Sequence, residues 1–360
     1  MTTNIVLLLI VVSSLGFSQT QQRFTKIESD LSPDELYERG RDEFTHAATS
    51  TNARLRADNL KRAVRYFEQT IAKDSSYFQA YLALLQCYSS MSGVGGAGSS
   101  ESTAKIKAVA TKAIQLDGEL PDPHQSLAWV MFQYDWDWEG AEMEFKRTLD
   151  LNFEFTELWP RYASFLVSQG KPKEALLEAQ RLSRLMTDKG WANFAIGYIY
   201  FWSRQYDSAI VYYKKAIEVH YNIWQYHFNL GFAYARRLRY DDALEEFRKG
   251  VVLSGRNTTA ISGLGFGYAL ADKKHEALST LEELEKGWES PQGSTSLVPA
   301  YRIAAVYAAL DEKADAIEWL GKALESRSSW LVWLKVDPAF DGLHKEPKFL
   351  KIFREMKFPR

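Results

Sequence analysis

The sequence predicts an all-α chain, a solenoid of antiparallel helix pairs, and two observations carry that reading. Ala141, Ala175, Ala209, Ala243 and Ala277 recur every 34 residues, while Gly197, Gly231 and Gly265 and Tyr200, Tyr234 and Tyr268 keep the same interval at fixed offsets before their alanines. No stretch alternates apolar and polar residues with the period of two that a half-buried strand requires. At 360 residues the chain would otherwise suggest two or three globular domains. A repeat of this length replaces that count with stacked helix pairs, each burying its faces against its neighbours.

The first element is an uncharged apolar run, Ile5 to Phe17, of the length of a secretory h-region, and Gly16 and Ser18 supply the small residues at the −3 and −1 positions of a cleavage before Gln19. Residues 1–18 therefore read as a signal peptide and 19–31 as a linker, and the mature chain is expected to be exported, periplasmic or secreted. The run is shorter than the roughly 20 residues of a membrane span, so membrane attachment is expected only if it stays uncleaved.

The solenoid occupies 32–329. It opens with an atypical helix pair from Ser32 to Asp74, where Ala63 and Phe67 mark the second helix, and continues with about seven repeats between Phe78 and Leu324. The clearest copy reads Leu230, Gly231, Tyr234, Ala243, Phe247. Small residues let two helices approach closely, and large apolar ones fill the space between neighbouring pairs. Ser92 to Ser102 and Gly287 to Ser296, rich in Gly and Ser, predict loops that interrupt the period. Residues 330–360 form a C-terminal cap segment. Asp337-Pro338 and Glu346-Pro347 place prolines where a helix can start, so a capping helix is expected over the apolar face of the last repeat.

Composition excludes several functions. Lys plus Arg number 44 against 46 Asp plus Glu, a net charge of -2, which gives no electrostatic case for nucleic acid. The lone cysteine, Cys87, excludes an intrachain disulfide and a cysteine-built metal site, and its apolar neighbours Leu84, Leu85 and Tyr88 predict that it is buried and inert. The six histidines never fall at a metal-ligand spacing. Gly93-Val-Gly95-Gly96-Ala-Gly98 resembles a phosphate cradle without the preceding strand or the following Lys-Ser pair. Asp135-Trp-Asp137-Trp-Glu139-Gly140 opens like a calcium loop, yet Lys146 stands where the bidentate glutamate belongs. With no nucleophile elbow and no Cys-His pair, no enzyme, metal or cofactor is expected. Asn257-Thr258-Thr259 is an N-glycosylation sequon. One number asks for an explanation: 11 Trp, 19 Tyr and 20 Phe, 14% aromatic.

The repeating residues resemble the tetratricopeptide repeat. That resemblance implies a right-handed superhelical solenoid whose first helices line a concave surface, and a protein or peptide as partner. Carried onto this sequence, the concave positions hold Trp129, Phe132, Trp191, Phe194, Tyr198, Phe201, Trp202, Phe228, Phe232, Arg236 and Phe266. The Lys and Asn with which chaperone-binding members grip a terminal carboxylate are missing. An aromatic groove for an apolar peptide is the expected site; the alternatives are rings that merely fill a tight superhelix, or a structural subunit of a cell-envelope assembly.

The stretch Tyr134 to Asn152 and the tail Trp330 to Met356 also resemble the repeat regions of bacterial transmembrane winged-helix regulators and receptor-like serine/threonine kinases. No winged-helix or kinase motif accompanies them here, so the resemblance implies a scaffold facing outside the cytoplasmic membrane and neither of those activities.

Overall fold

The computed structural model of the chain describes residues 30–50, 52–95, 100–152, 159–184, 186–289 and 300–359. These residues are helical or irregular, with no strand among them. The apolar run at 5–17 and its cleavage point lie outside the described residues. By packing, the described residues divide into two compact units, one built from those up to 94 with 115–118, the other from the remainder.

The first unit is the helix pair α1 (Pro33–Thr49) and α2 (Ala53–Lys73), followed by α3 (Phe78–Gly95). A capping box starts α1: Glu35 N–H donates to Ser32 Oγ at 3.2 Å, and Ser32 N–H to Glu35 Oε2 at 2.7 Å. Gly40 lies against the Phe67 ring, too close for a side chain, which lets α1 and α2 approach. Cys87 on α3 is fully buried, and burial pushes its thiol up to about 12.

The second unit contains α4 (Ser100–Leu116) and then a series of pairs: α5 (Pro121–Val130) with α6 (Trp138–Leu151), α7 (Trp159–Ser168) with α8 (Pro172–Leu182), α9 (Lys189–Trp202) with α10 (Tyr206–Val219), α11 (Trp224–Arg236) with α12 (Tyr240–Leu253), α13 (Thr258–Leu270) with α14 (Lys274–Glu289), and α15 (Ala300–Ala309) with α16 (Lys313–Glu325). Each of these pairs packs together, α9 touches α7 and α11, and α13 touches α11 and α15. This is an all-α solenoid of antiparallel helix pairs.

The period is enforced by contact. A Cβ on Gly231 would stand 2.8 Å from Phe247 Cδ1, one on Gly197 2.8 Å from Tyr213 Cδ1. The rings they meet are fully buried, so a methyl there overpacks the pair at a cost of about 1–3 kcal/mol. The repeating alanines, Ala141 to Ala277, have no exposed surface.

The turns keep the same register. Gly170, Arg204, Leu238 and Asp272 all have positive φ, between 56° and 79°. In each case the next residue's N–H returns to the carbonyl of the residue five back: Lys171 to Leu166, Gln205 to Tyr200, Arg239 to Tyr234 and Lys273 to Tyr268, all at 2.9–3.0 Å. That is the Schellman closure of a helix C-terminus. The repeating tyrosine thus supplies a backbone carbonyl as well as a ring.

Several boundaries differ from the sequence reading. Helix α3 continues through Gly95 and α4 begins at Ser100, so most of the predicted loop 92–102 is helical; α14 likewise runs to Glu289, because Trp288 packs edge-on against Trp319 at 5.7 Å. Between α5 and α6 a π-helical turn, Met131–Asp135, ends on Trp136 with φ of 57°. The apparent calcium loop is used otherwise: Asp135 pairs with Lys107 at 2.6 Å and Asp137 caps α6 through Gly140 N–H.

The C-terminal segment comprises two 3₁₀ turns, Ser329–Trp333 and Pro338–Leu343, and α17 (Pro347–Glu355). It covers the last pair, as a cap should, and also reaches much further back. Trp138 Nε1–H donates to the Met356 carbonyl at 2.9 Å, and Phe358 stacks on Trp138 at 4.9 Å. Leu331, Val332, Leu334 and Phe340 are wholly buried, so the segment belongs to the core of this unit and is more than a lid on its last helix.

Candidate aromatic groove and its C-terminal segment

Ten of the eleven concave-face candidates sort into three environments. Phe132, Phe201, Phe228, Phe232 and Phe266 are buried between helices: Phe132 meets Phe165 edge-on at 5.5 Å, and Phe232 touches Phe228, Phe247 and Phe266 within 5.0 Å. They fill the array instead of facing an open channel. Tyr198 and Trp202 face the chain's own tail. Trp333 lies flat on Trp202, centroids 4.5 Å apart and planes 14° from parallel, and meets Tyr198 edge-on at 5.4 Å. Burial raises the Tyr198 hydroxyl well above the ordinary tyrosine value. Trp129, Phe194 and Arg236 are half-buried, with Arg161 over the Trp129 ring at 5.3 Å and Arg236 over Phe266 at 5.3 Å.

Trp191 is the exception, 39% exposed. It stacks on Phe194 at 5.4 Å, and Phe194 stacks in turn on Tyr226 at 4.7 Å. Asp188 caps α9 by accepting from Trp191 N–H at 3.0 Å, which fixes this end of the helix; the same carboxylate meets His220 Nε2 at 2.9 Å. Ten of the eleven candidates are thus buried or half-buried against other side chains, and Trp191 is the one that stands exposed.

Residues outside the sequence-derived set complete the arrangement. Arg204, in the αL turn after α9, forms a bidentate pair with Asp341 at 2.7 Å on both nitrogens. Tyr301 donates to Asp337 Oδ2 at 2.8 Å, and Asp337 Oδ1 accepts from Ala339 N–H at 2.8 Å, capping the second 3₁₀ turn. Arg302 is buried over Trp330, 3.9 Å from its centroid. The only hint of these in the sequence is a cation, Arg302, inside an apolar helix.

Among the described residues no cluster of three or more His, Cys, Asp or Glu could hold a metal, and no helix is long and apolar enough to cross a membrane. The histidines His124 and His227 are buried, each with Nδ1 at 2.6 Å from a glutamate of the paired helix, Glu144 and Glu246 respectively.

The repeating unit thus sets a small residue against a ring, closes its turn on a tyrosine carbonyl and opens its second helix with a buried alanine. Residues 194–257 match the tetratricopeptide repeat model. Such repeats are in general scaffolds for protein–protein contact. No curated protein matches the chain. Among solved structures it is similar to Pseudomonas aeruginosa PilF, with 17% identity over 61% of this chain and 96% of that one and a TM-score of 0.45. YrrB, described as a tetratricopeptide protein with an unusual peptide-binding site, shares 20% identity over 54% of this chain and 95% of that one, TM-score 0.38. The Cut9–Hcn1 hetero-tetramer of APC/C gives 16% identity over 91% of this chain and 67% of that one, TM-score 0.49.

Proposed function

We propose that the chain is a non-catalytic protein- or peptide-binding scaffold that receives its partner at the aromatic lip of the groove. The supporting observation is Trp191, an exposed indole held rigid at the head of the stack Trp191–Phe194–Tyr226. A large ring whose freedom is already lost contributes contact area without a further ordering cost, which is why tryptophan dominates binding hot spots. The filled interior serves this role by holding the first helices in place. Export is part of the reading and rests on the apolar run Ile5 to Phe17.

A second reading, a subunit packed permanently in a cell-envelope assembly, draws on the opposite face. Met143, Leu177 and Val211, again 34 residues apart, are 63%, 66% and 49% exposed on three successive second helices. A stripe of that kind suits a lasting apolar contact.

Photoreactive benzoylphenylalanine placed at 191 or at 177 in the full chain, in living cells, separates the two. A discrete adduct at 191 and none at 177 supports the lip; the reverse pattern supports the assembly. Clean chains at both positions would remove both readings.

A further inference from the structure

The search for chemistry outside the lip leads to the floor of the filled groove. Phe201, Trp202, Asn229, Phe232, Arg236, Arg302, Asp337 and Ala339 surround a cavity of about 10 Å³, the scale of a single water-sized group. Two guanidinium groups and one carboxylate line it. Arg302 is 7% exposed, and its Nε, like that of Arg236, is buried with no hydrogen-bond partner.

Elsewhere the arginines behave differently. Arg204, Arg237, Arg239 and Arg256 each reach a carboxylate within 2.8 Å. In the cavity Asp337 accepts instead from the Tyr301 hydroxyl and the Ala339 N–H. Arg302 instead leans on the faces of Trp330, Phe228 and Phe232, and Arg236 on Phe266. Cation–π contact offsets part of the cost of removing a guanidinium from water, yet leaves the Nε–H donor unanswered. Burial accordingly lowers the affinity of Arg302 for its proton.

We infer that this cavity is a binding site for one small monatomic anion, chloride, held between Arg236 and Arg302. The site carries a net positive charge, two guanidinium groups against Asp337. It has two buried N–H donors without a partner, and in low-dielectric surroundings a charged hydrogen bond is strong. The size of the cavity excludes phosphate and larger anions. Asn229 sits at the wall with its Nδ2–H already given to the Gln225 carbonyl at 2.8 Å.

The test uses the purified full chain and no partner protein, so its failure leaves the scaffold reading intact. Chloride is titrated at constant ionic strength against the bulkier isethionate, following the thermal midpoint and the ³⁵Cl line width. The expected result is a midpoint that climbs with chloride and a broadened line. Both are lost in Arg236→Gln and kept in Arg237→Gln, whose target is an exposed arginine paired with Asp207. Removing one charged donor corresponds to an affinity loss of roughly tenfold or more. Should Arg236→Gln fail to fold, Asn229→Asp, which adds a repelling carboxylate to the wall, gives the same reading. A midpoint indifferent to chloride, or a line width unchanged by Arg236→Gln, overturns it.

Discussion

The indole of Trp333 lies parallel to that of Trp202 at a centroid distance of 4.5 Å, so the C-terminal segment is bound into the array at helix α9, far from the pair it follows in sequence. Both rings are nearly buried, at 4% and 6% exposure. Trp333→Ala should destabilise the protein by about 3–5 kcal/mol, the range for deleting a large buried ring, while Trp333→Phe should lose less. Urea unfolding followed by far-UV circular dichroism measures both. Equal, negligible losses would mean that the segment is an appendage.

Beside that stack, Arg204 holds Asp341 with two hydrogen bonds at 2.7 Å, although each side chain is about half exposed. Water screens such a pair, and its coupling should be about 0.5–1 kcal/mol, at the upper end for surface ion pairs because the geometry is bidentate. A double-mutant cycle of Arg204→Gln and Asp341→Asn should show that coupling at low salt and its decline at high salt. Coupling of zero at both would place the anchorage in the rings alone.

The sequence carries the repeat clearly because the constraint is local. A ring on one helix forbids a side chain on its partner helix, so Gly197 and Gly231 recur wherever Tyr213 and Phe247 do. It says little about the groove, for a physical reason. Hydrophobic pattern reveals that Trp202, Phe228 and Trp333 seek burial but carries no information on which of them meet. Trp138 finds the Met356 carbonyl across 218 positions, and Arg204 finds Asp341 across 137. The helix ends at Gly95 and Glu289 were obscured for another reason: glycine and serine favour turns only weakly, and helix packing such as that of Trp288 on Trp319 overrides them.

Leu238 offers a simple gain. Its φ of 59° lies in the left-handed region, at the same turn position where Gly170 stands two repeats earlier, and its side chain is 72% exposed. A non-glycine residue in this conformation costs about 1–2 kcal/mol, and no packing offsets the cost here. Leu238→Gly should therefore stabilise the protein by about 1 kcal/mol, after the greater unfolded-state entropy of glycine is subtracted. Arg204→Gly, in the equivalent turn, should gain less because it also surrenders Asp341. A fall in the urea midpoint for Leu238→Gly would contradict the account of these turns.

Glu246 links stability to acid. Burial alone would raise its carboxyl, but hydrogen bonds from His227 and Lys249, at 2.6 and 2.8 Å, outweigh that and hold it below the usual carboxylate value. A carboxyl whose folded value is depressed stabilises the fold fully above its unfolded value, near 4.3 for glutamate, and loses that contribution as pH falls through the folded value. The wild type should thus exceed Glu246→Gln in stability at neutral pH. The gap should narrow as pH drops from about 5 toward 3, over the interval in which the unfolded carboxyl protonates first. Because the glutamate joins α12 to His227 on α11, and His227 Nε2 also meets the Tyr221 carbonyl at 2.9 Å, the loss should appear as a weakened α11–α12 pair. Denaturant unfolding of both proteins across that interval checks it, and a gap that stays constant with pH would show that the carboxylate charge contributes nothing there.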